Sequence, residues 1–146
     1  MSDAPPESRH ETRRVAPDDA FFWAAAADGR LVIQRCADCK TLRHPPAPMC
    51  GACGSLEWDT QESSGRGRIV SWISSLHPNR PDDEPRIVIL VQLEEGTRFV
   101  SNLVDPPHGG PYDDLPVVVE FRDDRGANTP FFRTAGVDTQ SLEVDA

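Results

Sequence analysis

No stretch of this 146-residue chain approaches the roughly 18 consecutive apolar residues of a membrane-spanning helix, so no helical membrane span is expected. Basic residues are in deficit: 15 lysines and arginines face 24 acids, for a formal net charge of −9. Phosphate backbones call for a basic surface, and this balance counts against a nucleic-acid partner. Catalytic motifs are equally scarce. Gly65-x-Gly67 is too short to be a phosphate-cradling loop of the P-loop or dinucleotide kind. No serine sits in a nucleophile elbow, and His10, His44, His77 and His108 show no histidine–carboxylate spacing. The first 17 residues carry no apolar signal-type segment, so a reducing, cytoplasmic setting is expected.

Against these absences stand four cysteines in two tight pairs, Cys36-Ala37-Asp38-Cys39 and Cys50-Gly51-Ala52-Cys53, with ten residues between the pairs. This is the spacing of a zinc ribbon, in which two knuckles each give two thiolates to one tetrahedral metal. A single Cys-x-x-Cys would leave a redox dithiol open, but two at this separation argue against it. A reducing compartment favours metal thiolates over disulfides. Iron of the rubredoxin kind uses similar spacing, usually with a glycine after the second cysteine of each knuckle. Gly54 fits that pattern and Lys40 does not, so a structural Zn²⁺ is expected and iron is the alternative. Four thiolates would close the shell, leaving none of the open positions a catalytic zinc keeps.

The chain has 14 prolines and 10 glycines, which suits short strands and turns better than long helices. Residues 1–16 are polar and proline-bearing, and a disordered tail is expected there. Residues 17–30 read as a helix: acids follow Pro17, alanines follow the aromatics Phe21, Phe22 and Trp23, and Gly29 stops it. Three consecutive aromatics cannot all face one core. They are expected either to cap the ribbon or barrel or to meet a partner subunit. Residues 31–60 form the ribbon. Residues 61–136 read as five barrel strands, with Ile87–Leu93 as the most buried, Arg122–Thr129 as a charged turn region, and a glycine-permitted bend or bulge at Gly65–Gly67. Residues 137–146 read as a frayed tail. The fold class expected is mainly β: an N-terminal helix, a rubredoxin-like zinc ribbon and a five-stranded OB-type Greek-key barrel. Charge is uneven, with Arg30, Arg35, Lys40 and Arg43 against Asp38 between residues 30 and 53, a local +3.

The order of parts carries a resemblance. Phe22-Trp23, Gly29, Leu31, Gln34-Arg35-Cys36, Cys39, Pro46, Cys50, Cys53-Gly54-Ser55, Trp58, Gly65-x-Gly67 and Ser71-Trp72 follow one another, with Leu103-Val104-Asp105 after the central hairpin. In this order they resemble the zinc-ribbon/OB-fold acyl-CoA-associated family long catalogued as domain of unknown function 35. The resemblance runs from about Asp18 to about Ala135; Thr134 stands where members commonly have a proline. It implies a non-catalytic accessory subunit that docks on a CoA-thioester enzyme of the thiolase, thiolase-like aldolase, acyltransferase or hotdog-fold hydratase kind and helps bind the acyl-CoA. Cys36, Cys39, Cys50 and Cys53 are the expected metal ligands. Phe22, Trp23, Arg35, Arg43 and Trp72 are the candidates for acyl-CoA or partner contact, the arginines as phosphate partners. Trp58 and Trp72 are expected in the barrel core, with an acyl pocket as the alternative. A single-stranded nucleic-acid module and a rubredoxin-like electron carrier are the competing functions.

Overall fold

The computed structural model describes residues 15–136; the tails expected at either end fall, apart from Val15 and Ala16, outside the described residues. A short 3-10 turn, Pro17–Asp19, leads into helix α1, Ala20–Ala27. Proline at the first turn and the acids Asp18 and Asp19 suit a helix start. The helix ends where Gly29 takes φ +72°, and the Gly29 and Arg30 amides return to the carbonyls of Ala26 and Ala25. Phe22, Ala25 and Ala26 face inward.

The ribbon is a three-stranded antiparallel sheet ordered β2-β1-β3, with β1 Val32–Cys36, β2 Leu42–Arg43 and β3 Trp58–Glu62. The central strand is buried on both faces, Gln34 included. A buried amide must find partners. Gln34 Oε1 accepts from Arg43 Nε at 2.9 Å and from the Ala47 amide at 2.8 Å, which anchors the proline-rich run between the knuckles.

The barrel strands are β4 Arg66–Ser75, β5 Arg86–Leu93, β6 Arg98–Leu103, β7 Pro116–Asp124 and β8 Ala127–Thr134. They close in the order β4-β5-β6-β8-β7, with β6 and β8 parallel and every other pair antiparallel. This is the OB arrangement expected from the sequence. Ile69, Ile89, Val91, Leu93, Phe99, Leu115, Val117 and Phe132 fill it, and the same cluster takes in Phe22 of α1 with Leu31 and Ile33 of the ribbon.

Two local expectations are corrected, and a third is resolved. The strand β5 is not the most buried: Ile89, Val91 and Leu93 are buried while Val88, Leu90 and Gln92 are only half-buried, whereas four of the five residues of β1 are buried. Residues 122–129 are mostly strand, and the turn is just Arg125-Gly126 with φ of +54° and +78°. That two-residue hairpin geometry matches the natural strand twist and lets charged side chains line an exposed ladder. Of the bend or bulge expected at Gly65–Gly67, the bend is present, and the bulge lies further on at Val70, between Ile69 and Ser71. Gly65, at φ +77°, makes the bend into β4, and a Cβ on Gly67 would lie 2.6 Å from the Gln92 carbonyl oxygen. Close strand packing, rather than a bulge, is what Gly67 permits.

Candidate metal centre and ribbon–barrel junction

The two cysteine knuckles are built alike. Cys36 opens one, its carbonyl accepting from the Lys40 amide at 3.0 Å; Cys50 opens the other, its carbonyl accepting from the Gly54 amide at 2.9 Å. Lys40 and Gly54 both sit in the left-handed region, at φ +65° and +78°. The backbone therefore takes the same turn in both knuckles, although only one carries the glycine that makes the turn strain-free. Cys36 and Cys50 are buried, and Cys39 and Cys53 are exposed.

The turns bring one sulfur from each cysteine together, all four within 4.8 Å of one another. Cys36 Sγ lies 3.6 Å from Cys53 Sγ, and Cys39 Sγ lies 3.6 Å from Cys50 Sγ. A disulfide would need about 2.0 Å. A tetrahedral ion with metal–sulfur bonds of about 2.3 Å sets its sulfurs about 3.8 Å apart, close to what is seen. Protonation chemistry also fits a cation. Bonding to Thr41 brings the Cys39 thiol down to about 6. The Ser55 amide pulls on Cys53, but the crowding Cys36 and Cys39 sulfurs push its thiol up to about 12. Four thiolates this close need a positive ion between them. The four cysteines form a metal site.

His44 stands apart from that site. Its ring stacks on Phe99 of the barrel at 4.3 Å and 19°, and lies 5.4 Å from Phe22 of the helix. Phe99 in turn meets Phe132 at 6.0 Å. Phe21 packs on Trp58 of β3 at 4.9 Å. Within the chain, the helix aromatics thus wedge between ribbon and barrel, and Asn128 Nδ2 ties β8 to the Ala26 carbonyl at 2.7 Å.

Burial at this junction pulls the His44 imidazole down to about 4. Its unfolded value is near 6.5, so protons prefer the opened chain. Stability is complete above pH 6.5 and falls as pH drops toward 4. Between pH 7.5 and 5.5 the expected loss is about 1 kcal/mol, or about 4 °C in Tm. Thermal melts across that window should show a flatter profile for His44→Phe than for the parent; identical profiles would contradict the burial.

The other candidate residues are placed as follows. Phe22 is 6% exposed and belongs to the core. Trp23 is half-buried, its Nε1 donating to Asp19 at 3.3 Å. Arg35 makes a two-pronged pair with Asp59 at 2.7 and 2.8 Å, which holds the Asp59 carboxyl below its usual range. Arg43 clamps the Ala47 carbonyl and Gln34. Both guanidiniums expected to face phosphates are thus engaged inside the ribbon. Trp58 and Trp72, expected in the barrel core, are 40% and 38% exposed. Trp72 pairs with Ile89 at the splayed end of β4, where the barrel wall no longer covers it.

Family models for the rubredoxin-like zinc ribbon domain of ChsH2 and for its C-terminal OB-fold domain match residues 23–59 and 60–122. The chain belongs to the ChsH2 zinc-ribbon/OB-fold family. Among ChsH2-type relatives, a probable enoyl-CoA hydratase alpha subunit of Thermomonospora curvata is 46% identical over 132 residues, which is 89% of this chain and 41% of that protein. The 3-oxo-4,17-pregnadiene-20-carboxyl-CoA hydratase alpha subunit of Mycobacterium tuberculosis is 40% identical over 87 residues, 59% of this chain and 28% of that one. The chain therefore spans less than half the length of either. A solved chain of the Ltp2-ChsH2(DUF35) aldolase is 47% identical with a TM-score of 0.76, the match covering 85% of this chain and 99% of that one. No helix among the described residues is long and apolar enough to cross a membrane.

Proposed function

We propose that the chain is a non-catalytic accessory subunit that docks on a thiolase-like or hydratase enzyme acting on CoA thioesters. The observation that carries this reading is the match to 99% of the solved chain from the Ltp2-ChsH2(DUF35) aldolase. The hydratase relatives act, by their names, on enoyl-CoA and on a steroid carboxyl-CoA, which supports a CoA thioester as the shared substrate class. The cysteine centre, read as zinc, supplies structure. A closed four-thiolate shell offers no position for a substrate or an activated water.

The distribution of reactive groups agrees with this role. His44 is enclosed by rings, while His77 and His108 lie in the β4–β5 and β6–β7 loops. The proposed acyl-CoA contact falls to exposed Trp72 rather than to Arg35 or Arg43, because a CoA phosphate would have to displace Asp59 or the Ala47 carbonyl. The purified chain alone should turn over neither enoyl-CoA nor β-hydroxyacyl-CoA. Mixed with a thiolase-like catalytic subunit, it should form a stable complex and raise that subunit's melting temperature. Turnover by the isolated chain would refute the reading.

A further inference from the structure

The outward face of the sheet β4-β5-β6 differs from the rest of this acidic molecule. Strand alternation and the register across β5 define which residues share it. Ile73 stands directly opposite Val88, and Leu90 directly opposite Val100. Ile73 and Val100 are each 63% exposed, and Val88 and Leu90 are half-buried. These four make one apolar patch. Arg68 and Arg98 flank Gln92 at one end, and Arg86 faces Ser75 at the other. Ser71 and Asn102 complete the rows. No carboxylate occupies an outward position on these three strands, in a chain with 24 acids. Arg68 is tied to Asp114, which lies off the sheet in the β6–β7 loop.

An apolar centre free of charge with an arginine rim is the anatomy of a protein interface. Three of its four residues, Val88, Leu90 and Val100, also lie on the second and third strands of the barrel, the face on which OB folds take their ligands. Single-stranded nucleic acids bind there by stacking on aromatics. This patch presents aliphatic side chains and no aromatic ring. A second copy docked face to face would set arginine against arginine.

Resting on the docking role proposed above, we infer that the outward face of β4-β5-β6 is the surface that seats the catalytic partner. The partner's complementary patch is apolar with a carboxylate rim. Apolar anchors dominate the affinity, and the arginines set encounter rate and salt dependence.

The test uses as probe the Ltp2 component of the Ltp2-ChsH2(DUF35) aldolase, one chain of which is 47% identical to this one, titrated calorimetrically with the full chain. The parent chain should bind, and Ile73→Asp and Val100→Asp should each weaken binding by about 100-fold or more, the size of a central anchor loss. Both side chains are exposed, so metal content and circular dichroism should be unchanged. If either aspartate disturbs the barrel, the double variant Ile73→Thr, Val100→Thr keeps strand propensity and should still weaken binding at least tenfold. Equal binding by folded variants overturns the inference while leaving the docking role standing. Failure of the parent chain to bind overturns the docking role, and this inference with it. A parent dimer in sedimentation that Ile73→Asp dissociates, or oligonucleotide binding that the same change abolishes, would overturn it in favour of a different occupant.

Discussion

Cys50→Ser is expected to empty the metal centre and open the two knuckles. Cys50 is 2% exposed and starts the second knuckle, so a serine there loses a thiolate and leaves a hydroxyl in its place. The apparent binding free energy of a structural zinc is about 10–16 kcal/mol in zinc-finger peptides. That is comparable to the about 5–15 kcal/mol by which whole domains are stable. The knuckles themselves have little else to hold them: β2 has two residues, and the connection between the knuckles is fixed mainly through Gln34 and Arg43. Mass spectrometry under native conditions should find one metal in the parent chain and none in Cys50→Ser. Hydrogen exchange should then show the amides of Cys36, Cys50 and Gly54 open, with those of Ile89 and Val91 still protected. Chelation of the parent should reproduce the pattern. A metal-replete Cys50→Ser chain with unchanged exchange would refute a four-thiolate site, and elemental analysis of the parent separates zinc from iron.

The metal centre was the most legible part of the sequence, because a knuckle is a local object whose two ligands have only two residues between them. The helix end at Gly29 was legible for the same reason. Much of the rest depends on partners distant in sequence. Arg35 and Arg43 read as a basic excess because Asp59, the carboxylate that pairs Arg35, lies 24 residues away and arrives only when β1 and β3 align. The acids and arginines from Arg122 onward have the composition of a loop, but the Arg125-Gly126 turn recruits them into a ladder. In β5 the period-2 signal is masked, since Val88 and Leu90 are apolar on the outward face too. An apolar residue where alternation calls for a polar one is itself a sign of a covered surface, and here it marks the same strands that carry the arginine rim.

A loss as large as any from a single barrel substitution is expected at Phe99, whose role no local pattern announces. Phe99 is 4% exposed and touches one ring from each part of the molecule: Phe22 of the helix at 6.0 Å, His44 of the ribbon at 4.3 Å and Phe132 of β8 at 6.0 Å. Phe99→Ala should cost about 3–5 kcal/mol from lost burial and the cavity left behind, lowering Tm by about 10 °C or more. Phe132→Ala should cost a similar amount, so stability alone does not single out the junction. The His44 titration does. Desolvation against the Phe99 ring holds that imidazole near 4, and a cavity at position 99 admits water, so in Phe99→Ala it should titrate closer to 6.5 by NMR. Phe99→Leu, which keeps the site apolar, should leave the imidazole depressed. In Phe132→Ala the value should stay low, because the rings that His44 meets among the described residues are Phe22 and Phe99, not Phe132. If His44 responds equally to both alanines, ribbon and barrel are coupled through the whole core rather than through this ring stack.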